Sequence, residues 1–360
     1  MPPLTLSALR RHAIARSLFD PTTLAQALQR LGFVQADPLR APARAQDLTL
    51  RHRVRDYRAG DLEHHYPALA IEEDFLVNYG FLSPDVQALM HPRQPRMVWS
   101  AERWRQAESV LEFVRARGEV HPRDVAEAFD HGRVTTGFGS ASRASTALLD
   151  GMHYRGLLRV ARREAGTRLY AARPATPPPA DPEAAFDALV DLVVAKYAPL
   201  PGVTLGQLLS HLVHGVPQWR HLRAATLQRA RARLPSAEVD GLRWFWPEGE
   251  EPSSHDHQPR EAVALLAPFD PVVWDRTRFE RFWGWAYRFE AYAPAARRLR
   301  GHYALPLLWR EQVIGWANLK VEAGRLQPDI GHVAQAPRDA AYSQALDEEL
   351  QRISCFLGLD

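Results

Sequence analysis

Of the 45 basic side chains in this chain of 360 residues, only two are lysines, Lys196 and Lys320. Chemistry through a lysine amine therefore has two candidates, one in the apolar helix-like run "AAFDALVDLVVAKY" and one in a distant strand-like run. Cysteine is almost as scarce. Cys355 alone permits no internal disulfide and no cysteine metal cage, and its setting, "ISCFLGLD", predicts a buried structural thiol in a reducing cytoplasm. No apolar run approaches the ~18 residues of a membrane helix. Arginines interrupt "MPPLTLSALRRHAIARSLFD" where a secretory signal needs its apolar stretch, so the expectation is a cytoplasmic protein without a membrane partner. There is no G-x-S-x-G, no Cys-x-x-Cys and no phosphate-cradling glycine loop; the glycines of "TTGFGS" (135–140) predict only a loop between helices. His211 and His214 are spaced for two metal ligands on a helix but lack a third, and His255 and His257 are expected to be solvated. Neither a metal nor a cofactor is expected.

What is present describes a multidomain globular chain, with 46% apolar and 24% charged residues. Net charge is only +3, but it is unevenly spread. Residues 1–60 carry ten arginines against four acids and residues 133–173 eight against two, whereas 61–92 hold six acids and no Lys or Arg. Basic segments of this kind suit a phosphate backbone, or else are solvated faces of an arginine-rich chain.

Helical spacing in "TLSALRRHAIARSLF" and "PTTLAQALQRLG" predicts two short helices opening a helix-turn-helix. A clearer copy follows: "AERWRQAESVLEFVRARG", "HPRDVAEAF" and "GSASRASTALLDGMHYRG" as helices, then "LLRVARREAGTRLYAA" as a hairpin. That order is a winged helix. After the proline-rich linker "PATPPPADPE" the plan recurs, ending in a hairpin on Asp240–Gly241. "GEEPSSHDHQPR" (249–260) reads as a mobile surface loop, "EAVALLAPFDPVVWD", "YRFEAYAP" and "GHYALPLLWREQVIGWANLKVEAG" as strand-like runs, and "DAAYSQALDEELQRISCFLG" as a closing helix. The expected fold is α+β: winged-helix domains over 1–92, 93–173 and 183–248, and a C-terminal antiparallel β-rich domain over 260–360.

Within "FVQADPLRAPARAQDLTLRHRV", Pro38 forces Asp37 out of the helical region, and in an extended segment Gln35 and Asp37 share a face. Two readings stand: a catalytic pair, or Asp37 as the N-cap of a helix "PLRAPARAQ", whose N-terminus would itself favour a phosphate. The hairpin arginines Arg159, Arg162, Arg163 and Arg168 suit a wing lying along duplex DNA, or a solvent-facing hairpin.

"LQRLGFVQADPLRAPARAQDLTLRHRV", "PFDPVVWDR" and "APAARR" resemble, in order and over nearly the whole chain, the YcaQ/AlkZ-like bacterial winged-helix DNA glycosylases. The resemblance implies excision of bulky alkylated purines from double-stranded DNA, interstrand crosslinks included. It also implies a Gln-x-Asp catalytic motif of the YcaQ-like branch, here Gln35-Ala36-Asp37. Asp37 would then stabilise the oxocarbenium-like sugar and activate water that Gln35 positions. DNA contacts are implied at Arg44 and Arg53, and at Arg297, Arg298, Arg300, His302 and Tyr303. Asp270, Trp274 and Asp275 match family residues and read as structural. Asp74, Leu76 and Asn78 stand where relatives carry Glu, Trp and His. The alternative class is a non-catalytic winged-helix DNA-binding regulator or damaged-DNA binder. A nucleoid-associated monomer with no obligate protein partner is the expectation.

Overall fold

A computed structural model describes residues 3–129, 133–135 and 141–359, without the side chains of 133–135 and 141–143; of "TTGFGS", residues 136–140 lie outside the described residues. The chain is α+β, and it gathers into two compact units: Met1–Leu62, Val190–Leu208 and Leu227–Asp360 in one, Glu63–Leu189 and Leu209–Thr226 in the other. Among the described residues no helix is long and apolar enough to cross a membrane.

The second unit contains the clearest winged helix. Helix Ala101–Arg117 starts where the Ser100 hydroxyl accepts the Arg103 N–H at 3.2 Å, and helices Pro122–Ala128 and Ala144–Tyr154 follow. Strand Glu119–Val120 pairs antiparallel with Thr167–Ala172, which pairs in turn with Leu158–Glu164. The apolar positions Val110, Val114, Val125, Leu148, Met152 and Val160 of these elements are fully buried, which holds the three helices and the hairpin as one core. In the same unit, strands Glu72–Phe75 and Tyr79–Leu82 form a further hairpin.

In the first unit, helices Leu6–Ser17 and Leu24–Leu31 stand at the N-terminus; the latter opens with a capping box between Thr23 and Gln26. It ends at Gly32, whose positive φ of 65° turns the chain into strand Phe33–Gln35. Leu200–Pro201, Ser236–Val239 and Leu242–Phe245 make a three-stranded sheet, with the expected Asp240–Gly241 turn. A four-stranded antiparallel sheet orders Val263–Leu265, Leu305–Trp309, Gln312–Glu322 and Arg325–His332, and helix Ala340–Leu357 closes the chain.

Four local expectations change. "YRFEAYAP" is a loop rather than a strand, and side chains tie it to the segment that follows: Glu290 accepts the N–H groups of Leu299 and Arg300 at 3.0 and 2.8 Å, and Arg298 donates to the Ala293 carbonyl at 2.8 Å. Within "EAVALLAPFDPVVWD" only Val263–Leu265 is strand; the rest is turn and irregular chain that leads into a helix, Arg276–Trp283, capped by Asp275. The loop 249–260 is pinned: Glu250 binds His12 and Arg16 at 2.9 and 2.7 Å, and the His257 ring lies 4.7 Å from that of His12. Cys355 is half-buried rather than buried.

Candidate active site

The site lies in the first unit. Strand Phe33–Gln35 is buried throughout, and Asp37, 9% exposed, follows it in irregular chain. No helix starts at Asp37. The next helix is Ala45–Leu50, and the Asp37 carboxylate instead accepts the Leu39 N–H at 2.9 Å, a local Asx turn. The reason is Pro42, which cannot supply the N–H a helix through 38–44 requires and whose ring would collide with the preceding turn. The N-cap reading is therefore corrected, and with it the phosphate site at a helix N-terminus.

Two other segments, one nearby and one distant in sequence, brace the pair. The Gln46 side-chain oxygen accepts the Asp37 N–H at 3.4 Å, and the Trp274 indole N–H donates to the Gln35 side-chain oxygen at 3.3 Å. Trp274 was expected to be purely structural; it instead touches the candidate site, 239 positions along the chain from Gln35. Its own place is set by Asp270, whose carbonyl accepts the Trp274 backbone N–H at 2.8 Å, and by Tyr197, stacked on it at 4.5 Å.

Burial pushes the Asp37 carboxyl above its ordinary range, with the Leu39 N–H pulling the other way. The Asp37 charge is also felt by Tyr303 and Tyr292, whose hydroxyls are raised first by burial and then by that carboxylate. Tyr303 is 2% exposed, and its hydroxyl finds no hydrogen-bond partner among the described residues. Around it Phe289 stands edge-on to both Tyr303 and Tyr292, at 5.3 and 5.9 Å. The same loop carries two large exposed apolar side chains, Tyr292 at 74% and Leu299 at 76%, together with exposed Arg297 and His302. Arg298 is turned inward, donating to the Ala293 carbonyl at 2.8 Å, and Arg300 lies over the Trp285 and Trp316 rings at 4.8 and 5.4 Å.

Of the arginines beside the motif, Arg44 is half-buried, while Arg53 is 0% exposed and grips Asp270 through two hydrogen bonds of 2.8 and 3.0 Å. A guanidinium so enclosed cannot reach a phosphate, so Arg53 is corrected to an internal ion pair. Arg40, which sequence reasoning passed over, is exposed three residues past Asp37.

In the second unit each wing arginine has an acid of its own. Arg159 pairs with Glu72 at 2.7 Å, Arg162 with Glu119 at 2.8 Å, Arg163 with Glu73 at 2.5 Å and Arg168 with Asp150 at 2.8 Å. Arg163, with 13% of its side chain exposed against a fully buried Glu73, is a structural pair rather than a free DNA contact. Asp74 pairs with Arg93 and His91 at 2.9 and 2.7 Å, Leu76 is fully buried and Asn78 is exposed, so the first two positions that depart from the family pattern serve that unit's core.

A family model described as DNA glycosylase AlkZ-like matches residues 28–356. Among solved structures, the Streptomyces sahachiroi DNA glycosylase AlkZ matches with a TM-score of 0.64 at 13% identity, over 99% of this chain and 97% of that one. At that identity the likeness is one of fold.

Proposed function

The chain belongs to the AlkZ-like DNA glycosylase family and is thereby a hydrolytic DNA glycosylase, and we propose that its substrates are N7-alkylated purines in duplex DNA. A purine alkylated at N7 is a cation, so its bond to the sugar breaks with the electron pair going to the base and without a strong general acid. The positive charge passes to the sugar. A carboxylate beside it is then the principal requirement, as in glycoside hydrolysis. Asp37 supplies that carboxylate and takes the proton of the attacking water, a task its raised pKa suits. With the Gln35 oxygen engaged by Trp274, the Gln35 amide N–H groups remain to hold the water. The Gln35–Asp37 pair, buried and braced from two sides, is the observation that carries this reading.

DNA is proposed to reach the pair along the loop of Tyr292, Arg297, Leu299 and His302, with the Tyr303 hydroxyl as a donor reserved for the ligand. Approach through a groove would extend the activity to crosslinked purines, which cannot be fully flipped out. The enzyme is proposed to act at the nucleoid, as a monomer. Arg297→Ala is expected to weaken duplex binding and to reduce its salt dependence by about one unit of log–log slope. Arg163→Ala is expected to lower Tm and leave that slope alone; fluorescence anisotropy across a salt series separates the two, and equal slopes would remove Arg297 from the interface.

The reaction is proposed to stop at an abasic site. The amine of Lys196 is buried and donates to the Phe33 carbonyl, so it is not offered to a sugar. A duplex carrying one N7-methylguanine should release free base and break only after alkali, with no adduct trapped by borohydride. Breakage before alkali together with a trapped adduct would overturn the single-step reading. Absence of excision from both this and a crosslinked duplex would overturn the substrate assignment.

A further inference from the structure

The last two turns of helix Pro182–Tyr197 make three contacts with the segments that hold Gln35. Leu192 packs against Gly32, so closely that a Cβ on that glycine would stand 2.9 Å from the leucine Cδ1. The Lys196 ammonium donates to the carbonyl of Phe33, two residues before Gln35 in the same strand. Tyr197 stacks on Trp274 at 4.5 Å with planes 29° apart, and Trp274 donates to the Gln35 oxygen at 3.3 Å. One end of the helix thus meets the backbone of the strand, the glycine before it and the indole that donates to the amide.

We infer that Lys196 is a positioning residue for excision, fixing the strand Phe33–Gln35 through the Phe33 carbonyl so that the Gln35 amide meets the attacking water. This rests on the reading that Gln35 and Asp37 perform the chemistry. A buried lysine is otherwise hard to account for. Burial, then the charge of Arg53, lower the Lys196 pKa to about 7, with Asp270 opposing, and no other charged group is a cause of that shift. The unfolded chain binds the proton up to its ordinary 10.5. Between those values the folded state gives the proton up, so the lysine costs stability at neutral pH and an apolar replacement of equal length should fold at least as well. An ammonium also makes a stronger hydrogen bond than an amine.

Lys196→Met and Lys196→Gln are compared with wild type in single-turnover excision across pH, beside duplex affinity and Tm. The Met variant should be roughly tenfold slower at every pH, with unchanged Kd and a Tm no lower than wild type. The Gln variant, which keeps a neutral donor, should match wild type above pH ~7 and lack the faster limb that wild type shows just below it. Wild-type rates from the Met variant, or a slow Gln variant with no rescue, would overturn the assignment. Asp37→Asn run in parallel keeps the two readings apart: if it excises normally, the site assignment fails whatever Lys196 does.

Discussion

Asp37→Asn should lower excision of an N7-alkylpurine by about 10³-fold, the scale seen when one preorganised electrostatic stabiliser is removed, with duplex affinity almost unchanged. The same substitution should raise Tm. Burial holds the Asp37 carboxyl above its ordinary 3.8 despite the Leu39 N–H, so the folded state binds a proton more readily than the unfolded one. Above that raised pKa the buried charge costs stability, and stability is regained as pH falls through it. Asparagine, of the same shape and uncharged, removes the cost. The Tm gap between the variants should therefore be widest near neutrality and should close as pH falls through the raised pKa. Wild-type excision should decline over the same acid window, since only the ionised carboxylate stabilises the sugar cation. A variant less stable than wild type at neutral pH would show that the carboxylate is held for structure.

That Gln35 and Asp37 share a face could be read from local sequence, a β run, an X-Pro step and a two-residue spacing, whereas the catalytic reading of the pair came from the family resemblance. The helix expected after it was a misreading, and the signal against it was the four-residue spacing of Pro38 and Pro42. Trp274 was not legible, since only the folded chain brings it to Gln35. The basic hairpin misled for a related reason. Eight arginines over 133–173 and six acids over 61–92 look like separate fields when read along the chain. In space Arg159 meets Glu72 and Arg163 meets Glu73, so much of the apparent surplus cancels inside the unit. The segment from Tyr287 to Pro294 is a loop, bonded through Glu290 and the Ala293 carbonyl to residues 298–300 rather than to a neighbouring strand.

Arg53→Met should destabilise the fold by about 3–5 kcal/mol, because it leaves Asp270 charged, fully buried and without its counter-ion. For a chain of this kind that is a fall in Tm on the order of 10 °C. Burial by itself would raise the Asp270 carboxyl; the Arg53 charge and its hydrogen bonds instead hold it below the ordinary range. The stabilisation from the pair is accordingly complete at neutral pH and is lost only as pH falls through that depressed value, well into acid. Arg53→Met combined with Asp270→Leu removes both charges together and should recover most of the lost stability, since the single variant's cost lies in the stranded carboxylate. Recovery of excision should be less complete. The Asp270 carboxylate also accepts the Val272 N–H at 3.0 Å and so shapes the turn that leads to Trp274, whose indole donates to the Gln35 oxygen; leucine restores the core without restoring that bond. Thermal denaturation and single-turnover excision on the two variants test both statements. A single variant with wild-type Tm and weakened duplex binding would instead return Arg53 to the DNA interface.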